Sequence, residues 1–317
     1  MSKKILKNKK PRAKSPVGEI MYGLLPTPDD ERDFSLGGVF GTIAIETVPI
    51  GDWQVSTPLE IKNQGRTDMC TGYSLVAVSE DQEGVPLDPG FAFAMIKRER
   101  GEVNQYGASL RDGVKVAVNT GLIKVGDNPD DFSNENRNFI ANWRNWNLGV
   151  LLPKAQEHRK QSYFKVDGPN DNFDNIRAAL WQHRAEKRSI YTGCIWQNTW
   201  TNSPGGVISK KAGAGSFGHA FKVFGVKYFK GEPYLMVQNS YGTDVGDGGI
   251  FYFPRNIVNS YFTFGSYMFK DMPIDVAKDL NGQAVAEGWT NFEPKRNLLK
   301  EVIDVFRWLL KKPGKTE

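Results

Sequence analysis

Lys62-Asn63-Gln64-Gly65-Arg66-Thr67-Asp68-Met69-Cys70-Thr71-Gly72-Tyr73-Ser74 is a polar turn that delivers one cysteine to the head of an apolar run. Tyr73, Leu75, Val76, Ala77 and Val78 follow, so the pattern predicts a helix that begins at Cys70 and is ended by Gly84 and Pro86. A cysteine at a helix start has the positive end of the helix dipole beside its sulfur, which favours the thiolate. An unpaired cysteine is more often a small buried hydrophobe, so any reactive role has to come from its surroundings.

Downstream, apolar spacing predicts further helices over 91–100 and 110–119, the latter ended by Gly121. Residues 127–147 are dense in Asn and Asp, with Trp143 and Trp146 embedded, and read as an irregular loop anchored by aromatics. Residues 174–187 read as an amphipathic helix through Ile176, Leu180 and Trp181. From there the chain turns β-rich: 189–196, 220–226, 233–238 and 249–253 are short strand-like runs separated by glycine turns. Helices first and strands afterwards predict an α+β architecture with an antiparallel sheet or barrel.

At 317 residues, with 39% apolar and 12% aromatic content, the chain can bury a full core, and it reads as one main domain with tails. Its two cysteines, Cys70 and Cys194, cannot form a disulfide framework, and a reducing compartment is expected. No secretory signal and no apolar run of about 18 residues is visible. The net charge is +5, yet Lys3, Lys4, Lys7, Lys9, Lys10, Arg12 and Lys14 all fall in the first 14 residues, so the body is close to neutral. This arm reads either as a solvated tail or as a contact for nucleic acid or another acidic surface. A proline-punctuated segment, 23–34, cannot be helical and is expected to lie along the body. Near the C-terminus, Leu298, Leu299, Val302, Val305, Phe306, Leu309 and Leu310 share one helical face, suited to docking on the body or on a protein partner.

A cysteine nucleophile needs a base for its proton, a group that orients the base, and donors for the developing oxyanion. The histidines are His158, His183 and His219. The first two sit in charged, helix-like surroundings and read as surface residues. His219 stands at the mouth of one β run and Asn239 at the end of the next, so adjacent strands can bring them together. Cys194, in an apolar strand, reads as core. The spacing of Cys70, Cys194 and His219 fits no zinc motif, and Asp244 and Asp247 read as a glycine turn rather than a calcium loop, so no metal or cofactor is expected.

Gln64 to Cys70, then Gly218-His219-Ala220, then Asn239-Ser240-Tyr241-Gly242, in this order, resemble the active-site motifs of the papain-like cysteine peptidases. Gly246-Asp247-Gly248-Gly249-Ile250-Phe251 resembles the glycine-rich turn that follows them, and 23–34, together with 87–91 leading to 107–112, is similar to non-secreted bacterial members. The resemblance covers roughly 48–257. It implies Cys70 as nucleophile, His219 as general base and then acid, Asn239 as orienter of His219, and Gln64 as an oxyanion donor beside the Cys70 backbone N–H. It also implies a thiolate paired with an imidazolium, and places Gly107 to Ser109 as backbone of the substrate-binding strand. The chain departs from the family pattern at Thr67-Asp68-Met69, where the family's first cysteine is absent, at Thr71 in place of a tryptophan, and at Tyr241 in place of the tryptophan that shields the His–Asn pair.

The expected organisation is therefore a basic arm (1–20), an extended segment (21–47), a two-lobe domain (48–270) and a C-terminal extension (271–317). Within the domain, a helical lobe (48–170) carries the central helix starting at Cys70, and a β-rich lobe follows (171–270). Too few residues precede position 48 for a long inhibitory propeptide, but the arm can still lie over the cleft. The expected activity is peptide-bond hydrolysis through a thioester on Cys70, acting on a peptide or protein substrate, in a cytoplasmic or particle-associated setting. The alternative is a weakly active or inactive protein of this fold serving as a peptide-binding or structural component of a larger assembly, including a virus particle.

Overall fold

Strand-forming residues in the second half of the chain assemble an antiparallel sheet of seven strands, as seen in a computed structural model that describes residues 23–27, 30, 33–101, 105–128, 146–209 and 216–270. The strands are β1 (Trp53–Gln54), β2 (Ser162–Lys165), β3 (Ile190–Gln197), β4 (Ser216–Phe229), β5 (Glu232–Gln238), β6 (Ile250–Pro254) and β7 (Ser266–Lys270). Their order is β2-β7-β3-β4-β5-β6, with β1 paired to β4. Lys230 and Gly231, both at positive φ, make the tight turn between β4 and β5, a backbone that suits the right-handed twist of a hairpin. The arm 1–20, Trp143 and the apolar helix face at 298–310 lie outside the described residues.

The helices are α1 (Leu36–Phe40), α2 (Cys70–Glu83), α3 (Pro89–Arg100), α4 (Leu110–Lys115), α5 (Leu148–Gln156), α6 (Asn172–Gln182) and α7 (Arg255–Tyr261). Each follows local chemistry. Asp88 caps α3, its carboxylate accepting from Phe91 N–H at 3.0 Å, with Pro89 in the first turn where no N–H is needed. Ser109 and Asp112 form a reciprocal capping box at α4. Helix α2 ends at Gly84 in the left-handed region, as the sequence predicts. The expected helix over 110–119 is α4 continued by a wider π turn, Val116–Thr120, and the one over 174–187 is α6, which begins two residues earlier and stops at Gln182.

Every residue of α2 from Cys70 to Glu80 is buried, because the helix lies between the sheet and α3. A helix covered on both sides has no polar face to display. One cluster of buried side chains, including Phe91, Phe93, Leu110 and Val76, joins α2, α3 and α4 to Tyr191, Ala220 and Phe269 of the sheet. A second cluster fills the other side of the sheet with Trp196, Phe221, Phe253 and Met268, covered by Phe173, Ile176 and Leu180 of α6. Two cores on opposite sides of the sheet give an α+β fold of two lobes. The expected helical lobe, 48–170, also contributes β1 and β2 to this sheet, so the lobes are not divided by chain position alone.

A buried ion pair ties the two lobes. Lys222 Nζ of β4 lies 2.8 Å from Asp81 of α2, both side chains being 1% exposed, and Ser56 donates to the same carboxylate at 2.7 Å. His158 and His183, expected at the surface, are instead buried at 8% and 5% exposure. His158 Nδ1 lies 2.9 Å from Glu83, and His183 Nδ1 accepts from Lys270 at 3.0 Å. Charged neighbours in sequence signalled exposure, but these charges turn inward to pair across elements, and burial pushes His183 below its ordinary value.

Candidate active site

The loop before α2 is folded by its own polar groups. Gly65 occupies the left-handed region, φ 57°, where a side chain is disfavoured, and its N–H donates to Asn63 Oδ1 at 2.9 Å. Gln64 Nε2 donates to Thr67 O, and Thr67 Oγ1 donates back to Gln64 O, each at 2.7 Å. This clasp aims the chain into α2 with Cys70 as the first helical residue and no side-chain cap on the helix. The thiol accordingly faces free backbone donors, its own N–H and that of Thr71. Tyr191 of β3 donates to Thr71 O at 3.1 Å and fixes this first turn against the sheet.

From the β-rich side come His219, on β4, and Asn239, just after β5. They sit together: His219 Nε2 lies 2.7 Å from Asn239 Oδ1, which also accepts from Ser240 N–H at 2.6 Å. Gln64 is joined to the same turn, since Ser240 Oγ donates to Gln64 Oε1 at 2.6 Å and Gln64 N–H donates to Ser240 O at 2.8 Å. Gln64, His219 and Asn239 are thus linked through the turn after β5, while Cys70 comes up to β4 beside Ala220, with no hydrogen bond between its sulfur and His219 among the described residues; all four are at most 2% exposed. Gln64 retains a second amide hydrogen beyond the one given to Thr67.

Cys70 receives the N–H of Ala220, the residue after His219. Strand residues alternate in direction, so Ala220 faces α2, while His219 shares the side of Phe217 and Phe221, with Trp196 at 5.3 Å. The second ring nitrogen, Nδ1, lies 3.1 Å from the Tyr241 hydroxyl, and the two rings stack with centroids 4.6 Å apart at 22°.

The cleft above Cys70 is filled by the chain's own residues 23–25. Ala108 N–H donates to Gly23 O at 2.8 Å, Leu25 N–H donates to Ala108 O at 2.9 Å, and Leu24 N–H donates to Gly218 O at 3.0 Å. The segment is a short strand, parallel to Ala108, laid between the two lobes. Gly107 and Gly218 permit the approach: a Cβ on Gly107 would stand 2.5 Å from Gly23 O, and one on Gly218 would overlap Leu24 O. Leu24 is 6% exposed and packs in the same cluster as Cys70 and Ala220. Asp33, farther along, receives the Arg111 guanidinium and the Tyr163 hydroxyl, which anchors the segment to α4 and β2.

Removal from water sets the charge state. Burial pushes the Cys70 thiol up to about 12, with the buried Asp68 carboxylate adding to the effect, against the lowering by the Ala220 N–H. Burial also pushes His219 down to about 4, despite the Asn239 bond. The pair is therefore neutral, thiol and imidazole, at neutral pH. This differs from the expected thiolate and imidazolium, because that reading took the helix terminus and the histidine into account but not the segment that shuts out solvent. Asp68 does point inward, and its Oδ2 accepts from Gly107 N–H at 2.6 Å.

Cys194 is a free, fully buried core residue. Asp247 serves the glycine turn, accepting from Tyr252 at 2.6 Å. Among the described residues no group of three His, Cys, Asp or Glu side chains is placed to hold a metal, and no helix is long and apolar enough to cross a membrane. Sequence reasoning missed Ser240 as the holder of Gln64 and Leu24 as the filler of the cleft. Ser240 directly follows Asn239, so its place was readable. Leu24 carried no signal beyond an extended backbone.

Comparison with known proteins supports the family and the fold. A cathepsin B-like cysteine proteinase 3 from Ostertagia ostertagi is 26% identical over 115 residues. That match covers 34% of this chain and 66% of the relative, just under two thirds of the relative's own length. Xylellain, a cysteine protease from Xylella fastidiosa, is similar in fold, with a TM-score of 0.65 at 21% identity, covering 82% of this chain and all of that one. Digestive procathepsin L 3 of Tenebrio molitor superposes with a TM-score of 0.52 at 14% identity over 75% of each chain. The family description for papain family cysteine proteases matches residues 107–267, which include His219 and Asn239 and begin after Gln64 and Cys70. Since that match spans just over half of the chain, the protein belongs to the papain family of cysteine proteases.

Proposed function

We propose that this protein hydrolyses peptide bonds through a thioester on Cys70, and that residues 23–25 hold it in a closed, latent form. The supporting observation is that Gln64, His219 and Asn239 are joined through the turn after β5, with Cys70 held at the N–H of Ala220, the residue after His219. Once the segment leaves, water re-enters, the thiol falls toward its ordinary range and the imidazole rises toward its own. Cys70 S–H then gives its proton to His219, and the sulfur attacks the substrate carbonyl. The oxyanion is held by the Cys70 backbone N–H and the remaining Gln64 amide hydrogen. His219 protonates the leaving amine, and water, deprotonated by His219, hydrolyses the thioester.

The segment itself is a poor substrate, because the Gly23 carbonyl, on the residue that covers Cys70, is turned to Ala108 N–H rather than offered to Gln64. Gly107 to Ser109 is the strand that a substrate backbone would pair with in its place. The test is a thiol-reactive peptide-mimic probe applied to the full chain and to a chain lacking residues 1–27. Labelling confined to the truncated chain, and absent from its Cys70→Ala and His219→Ala forms, is expected; labelling unchanged in those forms would sink the reading.

The neutral Cys70–His219 pair and the filled cleft favour a second reading, a protein of this fold retained as a peptide-binding or structural component. A truncated chain that binds peptides without turning them over would support it. Work in a reducing, non-secreted or particle-associated setting is supported by the two free buried thiols. Docking through the basic arm to an acidic surface or nucleic acid, and through the 298–310 face to a protein partner, rests on sequence pattern; pull-down with and without each tail tests it.

A further inference from the structure

Both nitrogens of the His219 ring are taken, and the partner of Nδ1 is not the thiol. Asn239 Oδ1 is an acceptor, fixed as such by the Ser240 N–H it also receives, so the 2.7 Å bond places the ring proton on Nε2. Nδ1 is then an acceptor, and the hydroxyl 3.1 Å away, that of Tyr241, is its donor. We infer that Tyr241 is a positioning residue that holds His219 as the neutral Nε2–H tautomer by donating its phenolic hydrogen to Nδ1, the nitrogen that must receive the Cys70 proton.

The geometry leaves the hydroxyl little freedom. Tyr241 is 4% exposed, its ring lies over the imidazole at 4.6 Å, and Trp196 packs edge-on against both rings at 5.3 and 6.0 Å. The groups that face the pair are Cys194 from β3, directly opposite His219 in register, Asn239 after β5, and Cys70 from α2. Asp68, beside Cys70, is committed to the Gly107 N–H. Burial, with Cys70 and Cys194 adding, keeps the Tyr241 hydroxyl well above its ordinary value, so it stays protonated and able to donate.

Ionisation of Cys70 breaks the S–H bond, leaves the electron pair on sulfur and forms an N–H bond at Nδ1. The phenol must first turn its hydrogen away, after which its oxygen can accept from the new N–H. The bond to the neutral ring therefore opposes protonation of the base. Tyr241 thus adds a second restraint, independent of the covering segment, on the same proton transfer.

The inference rests on the reading of His219 as the base for Cys70, but its test does not need turnover. Ring 15N NMR spectra of the full chain, with His219 assigned through His219→Gln, report the tautomer directly. The expected wild-type signal is Nε2–H, with Nδ1 displaced by an accepted hydrogen bond. In Tyr241→Phe, which keeps the stacked ring, that displacement should vanish and the His219 midpoint should rise by about half a pH unit to one pH unit. A shielding role alone predicts no change. A wild-type ring protonated on Nδ1, an Nδ1 signal lacking the displacement, or a Tyr241→Phe midpoint at or below wild type overturns the inference. The wild-type spectrum decides alone if the variant does not fold.

Discussion

Gly23 lies directly over Cys70: a Cβ built on it would stand 2.7 Å from Sγ, closer than real side chains approach. The contact makes the covering segment sensitive to one methyl group. Gly23→Ala should weaken the closed form by about 1–3 kcal/mol, the usual cost of overpacking. Alkylation of Cys70 by iodoacetamide, read by mass spectrometry, should accelerate by roughly 5- to 150-fold. An unchanged rate would show that residues 23–25 do not control access.

Ser240 Oγ holds Gln64 Oε1, and through it the amide that we assign to the oxyanion. In a chain freed of residues 1–27, Gln64→Ala should lower kcat by ~10²–10³ with KM little changed. Ser240→Ala should give a smaller loss of the same kind, since the Thr67 contact still positions the amide. Steady-state kinetics on a fluorogenic peptide measures both, and a change confined to KM would contradict the assignment.

The neutral pair predicts how the closed chain responds to pH. His219 is lowered from 6.5 to about 4, so the unfolded chain binds more protons between those values, and the stability tied to it is lost as pH falls through that window. Cys70 is raised from 9.0 to about 12, so the folded chain holds its proton longer, and that stability is lost as pH rises from 9 toward 12. Urea midpoints followed from pH 4 to 11 should therefore plateau between about 6.5 and 9. Cys70→Ala should reduce the alkaline fall, to which the buried Cys194 also contributes, and an unaltered fall would assign it elsewhere.

Lys222 and Asp81 join the lobes through a pair that is out of water on both sides. Lys222→Ala leaves the Asp81 carboxylate buried with Ser56 as its one side-chain donor among the described residues, and should cost about 3–5 kcal/mol by denaturant unfolding. Replacing both, as Lys222→Met with Asp81→Leu, should recover most of the loss. Additive losses in the double variant would show that the pair is not coupled.

The motifs around Gln64, Cys70, His219 and Asn239 were legible because each is local. Gly65 sets a turn, Cys70 heads an apolar helix, His219 opens one strand run and Asn239 closes the next. The same locality hid other features. His158 and His183 carry charged neighbours in sequence, and only their partners Glu83 and Lys270, from distant elements, show that they are buried. Strands β1 and β2 are short and lie among helices, so their membership of the sheet depends on pairing with β4 and β7.

By itself, the sequence determined which elements carry the candidate residues, because backbone propensity, turn residues and apolar period specify α2 and the hairpin of β4 and β5. Tertiary structure decided the state of that chemistry. Proton affinities follow solvent exposure and hydrogen-bond partners, and these come from long-range contacts: Gly23 over Cys70, the Ala220 N–H at its sulfur, and the Tyr241 hydroxyl at His219 Nδ1. The stretch from Lys62 to Ser74 places the nucleophile, and the segment 23–25 with Tyr241 holds it neutral.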